Sequence, residues 1–134
     1  MAQRIRVITL LVTITSTVCW SCPAWATFHL WKIDQIYSNA SGNVQFVELA
    51  DTENGEVVIG GKTLTSNGHI FTFLSNLPNG TPTAGQHMLL ATSGYSALAG
   101  VTKADFTLPD HFLNPSGDTL TYAGGLDSAT FSIS

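Results

Sequence analysis

Lys62-Thr63-Leu64-Thr65-Ser66-Asn67-Gly68-His69-Ile70-Phe71-Thr72-Phe73 is the stretch whose reading decides the fold. Two short runs rich in threonine and apolar residues flank Asn67-Gly68, a pair in which both residues tolerate positive φ. That is the strongest two-residue hairpin signal a sequence offers. In the second run Ile70 and Thr72 alternate with Phe71 and Phe73, the period of two that a strand requires.

The same alternation continues outward in both directions. Upstream, Val57-Val58-Ile59 reads as a short strand broken by Gly60-Gly61, after an acidic turn at Asp51-Thr52-Glu53-Asn54-Gly55-Glu56. Before that turn, Val44-Gln45-Phe46-Val47-Glu48-Leu49 puts Val44, Phe46 and Glu48 on one face and Gln45, Val47 and Leu49 on the other. A turn cluster at Ser38 to Asn43 separates it from a first strand within Phe28 to Tyr37. Downstream, the two-proline loop Leu77 to Gly85 leads to a buried-looking strand, His87 to Thr92, and then to a single helical turn between Gly94 and Gly100. Ala104 to Leu108 reads as an edge strand ended by Pro109, and Thr119 to Ala123 and Ala129 to Ile133 as two more strands. The spacing predicts an all-β sandwich or barrel of about seven to nine short strands, with no helix beyond two turns.

The N-terminal segment reads differently. Arg4 and Arg6 precede an uncharged run, Val7 to Val18, too short to cross a bilayer comfortably, and Ala24-Trp25-Ala26 closes it as an A-x-A cleavage site. Residues 1–26 are therefore expected to be a cleavable signal peptide, and 27–134 a single domain that is secreted to the extracellular space, periplasm or cell surface. Both cysteines, Cys19 and Cys22, lie in the leader, so the domain is expected to hold no disulfide and no thiolate site. It keeps three lysines against nine carboxylates, a balance that repels phosphate backbones and argues against nucleic acid as a partner. No second apolar run is long enough to span a membrane. The alternation runs to Ser134 without a closing turn, which suggests a truncated C-terminus.

Candidate chemistry is sparse. Asp51, Glu53 and Glu56 crowd one loop and are weak calcium candidates, without the fixed spacing of an EF-hand loop. Glu48, flanked by Val47 and Leu49, reads as a structural carboxylate accepting backbone hydrogen bonds near a sheet edge, because a buried acid must be paired. His29, His69, His87 and His111 show no zinc spacing. Serine is plentiful, but no G-x-S-x-G elbow exists. Trp31, Tyr37, Tyr95 and Tyr122 are aromatic residues that serve either as core anchors or as a carbohydrate-binding face. No cofactor and no catalytic residue is expected.

Several of these stretches resemble the lamin-tail domain as it occurs in secreted bacterial proteins. The likeness rests on Trp31 to Ile36, Val44 to Leu49, Gly61-Lys62-Thr63-Leu64, Phe71-Thr72-Phe73 and Gly85-Gln86-His87-Met88-Leu89-Leu90-Ala91. The chain departs from that pattern at Gln35, where an acidic residue is usual, and at Ala84, where proline is usual. The resemblance spans roughly Phe28 to Ala123. It implies an immunoglobulin-like sandwich, with Trp31, Ile33, Ile36, Phe46 and Glu48 in structural roles. It further implies a non-enzymatic module that binds or anchors to a protein or cell-surface partner. The alternative is an accessory domain of a secreted hydrolase whose catalytic part lies outside this chain.

Overall fold

The computed structural model describes residues 31–132. The expected leader, 1–26, and the flanking residues 27–30 and 133–134 lie outside them. Eight strands and one helical turn follow in order: β1 Lys32–Ser38, β2 Gln45–Asp51, β3 Thr63–Ser66, β4 His69–Thr72, β5 Gln86–Thr92, α1 Ser93–Ser96, β6 Phe106–Leu108, β7 Asp118–Tyr122 and β8 Asp127–Phe131. They form two four-stranded sheets, ordered β1-β2-β5-β6 (sheet A) and β4-β3-β7-β8 (sheet B). The architecture is the expected β-sandwich. Among the described residues no helix is long and apolar enough to cross a membrane.

Local sequence explains the hairpins. Asn67 (φ 51°) and Gly68 (φ 76°) both take positive φ, as the tight turn between β3 and β4 demands, and Ser66 pairs with His69 across it. β7 and β8 are joined through Ala123, Gly124 and Gly125, again all at positive φ. The pairing of β5 with β6 is parallel, so it needs a crossover of about a dozen residues. The connection 93–105, which begins with α1, supplies it. β6 is an edge strand and Pro109 follows it directly, as the sequence predicts.

One expectation fails. Val57-Val58-Ile59 is not a strand. The Ile59 amide bonds back to the Val57 carbonyl, a turn of three residues that breaks the extended conformation a ladder needs. The segment still contributes to packing, because the turn drives Ile59 into the interior while Val58 faces solvent.

The core lies between the sheets. Val47, Leu49, Met88 and Leu90 of sheet A meet Leu64, Leu120 and Tyr122 of sheet B, and the loops add Trp31, Ile59, Phe73, Phe112 and Leu113. Gln45 is a polar residue fully buried on the inner face of β2. Its amide is satisfied on both sides: Nε2 donates to the Leu113 carbonyl (2.7 Å) and to Ser38 Oγ (2.8 Å), and Oε1 accepts from the Leu113 amide (3.0 Å). It thereby clasps a loop that has no strand to pair with.

β1 departs from regular pairing. Ile33 lies opposite Leu49 and Gln35 opposite Glu48, so Asp34 is an extra residue with no partner across the ladder. This β-bulge lets Ile33 and Ile36, three apart, both pack against the core, which strict alternation forbids. Asp34 and Gln35 are both left exposed.

Candidate functional site

The outer face of sheet A brings together several ionisable and aromatic side chains that the core does not use. On β2 alternation turns Phe46, Glu48 and Ala50 outward while Gln45, Val47, Leu49 and Asp51 face in. Glu48 is opposite Leu89 on β5, and Ala50 is opposite His87. His87 is thus the diagonal neighbour of Glu48, within reach of long side chains, and the small Ala50 beside it leaves room for the ring. His87 Nδ1 lies 2.7 Å from Glu48 Oε1 and 3.9 Å from Asp34 Oδ2. The bulge on β1 provides that third residue. The ligand atoms of Asp34, Glu48 and His87 all lie within 4.8 Å of one another.

Glu48 is the most sheltered of the three, its side chain 21% exposed against 44% for Asp34 and 53% for His87. It belongs to an interior strand and its partner is an imidazole. The expectation of a carboxylate held by main-chain amides at a sheet edge is corrected on both points.

Beside this trio lies an aromatic stack. Phe46 is stacked on Tyr37, with ring centroids 5.5 Å apart, and meets Tyr95 edge-on at 5.4 Å. Trp31 and Tyr122 are buried instead, so the four aromatics singled out in the sequence do not form one face. Tyr95 is brought to the sheet by α1, whose N-cap is the buried Thr92. The Thr92 hydroxyl accepts from the Tyr95 amide and donates to the Asn43 carbonyl. Between the stack and the trio runs a groove of about 420 Å³, with Gln35, Phe46, Glu48, His87, Leu89 and Tyr95 on one side and Thr102, Lys103 and Asp105 on the other. Asp105 is fixed there by a reciprocal clamp: its amide donates to the Leu89 carbonyl and its carboxylate accepts from the Leu89 amide, both at 2.8 Å. A second groove of about 360 Å³ adjoins the first and shares His87 and Asp105 with it. Trp31, Leu77, Met88 and Phe106 give it an apolar lining.

The remaining expected residues lie elsewhere. Trp31 is in the core and its Nε1 donates to the Glu56 carbonyl (2.9 Å). Ile33 and Ile36 are half-buried against that core. Asp51, Glu53 and Glu56 do not converge on a common point as Asp34, Glu48 and His87 do, the one such three-residue group among the described residues. Asp51 is buried and its Oδ1 accepts from the Glu53 amide. Thr83 ties the loop down by donating to the Glu53 carbonyl and accepting from the Glu56 amide. Burial, and then the Glu56 and Asp51 carboxylates, push the Tyr122 phenol up to about 12. Asp51 Oδ2 and the Tyr122 hydroxyl are both buried without a hydrogen-bond partner.

Sequence reasoning missed Asp34 and the significance of His87. A usable signal for Asp34 is the Ile33-Asp34-Gln35-Ile36 spacing, since two apolar residues three apart in a strand imply a bulge between them. His87 joins Glu48 through a long-range ladder that local pattern does not reveal. A single imidazole with two carboxylates can hold a divalent cation or act as a charge-paired contact surface. No family model, no curated protein and no solved structure matches the chain.

Proposed function

We propose that the chain is a secreted, non-enzymatic binding module, lamin-tail-like in kind, that engages a protein or cell-surface partner through the outer face of sheet A. The observation that carries this reading is the groove between the Tyr37–Phe46–Tyr95 stack and the Glu48–His87 pair. Interfaces concentrate their energy in a few aromatic anchors ringed by polar groups, and this groove has that composition. Lys103 beside Glu48 and Asp105 places both signs of charge along it, which favours a particular orientation of a partner over general adhesion.

The test is capture from the washed envelope fraction of the producing cell, comparing wild type with Tyr95→Ser and with Ile70→Thr. Ile70 is exposed on sheet B, away from the groove, and serves as the control. Truncating a central tyrosine anchor typically costs about 2 kcal/mol, roughly thirtyfold in affinity. Tyr95→Ser should lose the captured partner while Ile70→Thr keeps it. Equal capture by both variants would overturn the assignment of this face.

A further inference from the structure

We propose that Asp34, Glu48 and His87 form a binding site for a divalent transition-metal ion of the zinc type. Three adjacent strands each supply one residue, and the three donor atoms lie within 4.8 Å of one another. At metal–ligand distances of about 2.0–2.2 Å, tetrahedral geometry puts ligand atoms about 3.4 Å apart. The observed separations from His87 Nδ1, 2.7 Å to Glu48 and 3.9 Å to Asp34, bracket that value. Closing on an ion therefore takes small side-chain adjustments that widen the Glu48–His87 contact and shorten the Asp34–His87 distance.

The donor set selects the ion. One imidazole nitrogen with two carboxylate oxygens suits zinc and its neighbours, whereas calcium takes six to eight oxygens and magnesium an all-oxygen octahedron. Three protein ligands leave a fourth position, and two of them, Glu48 and His87, line the groove, where water or a partner's side chain has access to the ion. The charge balance points the same way. Two carboxylates face a single imidazole, and among the described residues no lysine lies within ion-pair distance of either acid. A dication neutralises both.

Two further observations show that the fold builds this cluster. The bulge in β1 carries Asp34 to the outer face, where an unbulged strand would place only one of Asp34 and Gln35, and bulges recur beside functional sites for this reason. Glu48 is sheltered between the neighbouring strands, so the ion has one sheltered ligand as well as two more exposed ones.

The site lies on the face assigned above to a partner, but metal binding is measured on the protein alone, so the failure of either reading leaves the other to its own test. The experiment is calorimetric titration of zinc chloride into chelator-treated protein prepared without a histidine tag, with calcium and magnesium chloride titrated in parallel. Wild type should take up one zinc ion per chain and neither alkaline-earth ion comparably. Even outer partners of metal ligands cost about 10–100-fold in affinity when mutated, so Asp34→Asn and His87→Gln should each weaken zinc by at least about tenfold. Both residues are half-exposed, and an unchanged melting temperature of the metal-free variants verifies their folding. His69→Gln, on sheet B, should bind as wild type does. The proposal is overturned if wild type shows no saturable zinc uptake below millimolar concentration, if either ligand variant binds zinc unchanged, or if calcium or magnesium binds as tightly.

Discussion

Tyr122 and Gln45 show how differently two buried polar side chains can be treated. Gln45 has its amide fully engaged by Leu113 and Ser38, whereas the Tyr122 hydroxyl finds no partner in the core. An unpaired hydroxyl contributes nothing to offset its desolvation, so Tyr122→Phe should change stability near neutral pH by less than about 1 kcal/mol. At alkaline pH the two proteins should diverge. The phenol ionises near pH 10 in the unfolded chain and is pushed up to about 12 in the fold, by burial first and then by Glu56 and Asp51. The unfolded state loses its proton first, so the stability of wild type is intact below pH 10 and declines as pH rises from 10 towards 12. Denaturant melts across that range should show Tyr122→Phe overtaking wild type by on the order of 2 kcal/mol. Parallel curves would show that the phenol ionises equally in both states. At this scale the sequence was only partly readable. Alternation puts Gln45 and Glu48 on opposite faces, but which face is buried and what each residue meets depend on the strands that arrive alongside.

Among the elements, β1 carries the clearest consequence. Its bulge accommodates Asp34 as a supernumerary residue, so excising that residue leaves Ile33-Gln35-Ile36 in regular alternation. Ile33 and Ile36 keep their places against Leu49 and Val47, and Gln35 remains opposite Glu48. Deleting Asp34 should therefore leave a folded protein within about 1 kcal/mol of wild type, a mild outcome for a deletion inside a strand. A thermal melt checks it: a loss several times larger would mean that the bulge is needed for β1 to pair at all. The hairpin β3–β4 was fully legible because Asn67-Gly68 states its own geometry. The Val57 to Ile59 segment misled, because three β-branched residues read as a strand whatever hydrogen bonds the backbone makes.

For the whole molecule the decisive pairings are those between distant segments. The approximate number of strands and the all-β class follow from local patterns. The orders β1-β2-β5-β6 and β4-β3-β7-β8 do not, because β2–β5 and β3–β7 join strands separated by long connections, and β5–β6 is parallel. The sheets are also linked at one seam, where the Ile33 amide donates to Asp127 Oδ2 of β8 (2.8 Å) and ties an edge of sheet A to an edge of sheet B. Asp127→Ala should cost about 1–2 kcal/mol, with faster hydrogen exchange at the Ile33 amide. Undiminished protection there would assign the seam to side-chain packing alone. The β2–β5 ladder also has a bearing on time. Hairpins close in about 1–10 μs, whereas contacts distant in sequence form later. Asp34 and Glu48 belong to the single hairpin β1–β2, but His87 arrives only with β5. A β1–β2 ribbon formed ahead of β5 would hold two like charges together without the imidazole that contacts both. Such a ribbon is weakened by its own acids, and β5 supplies both the next strand and the imidazole that contacts them, so the first hairpin is completed by the sheet.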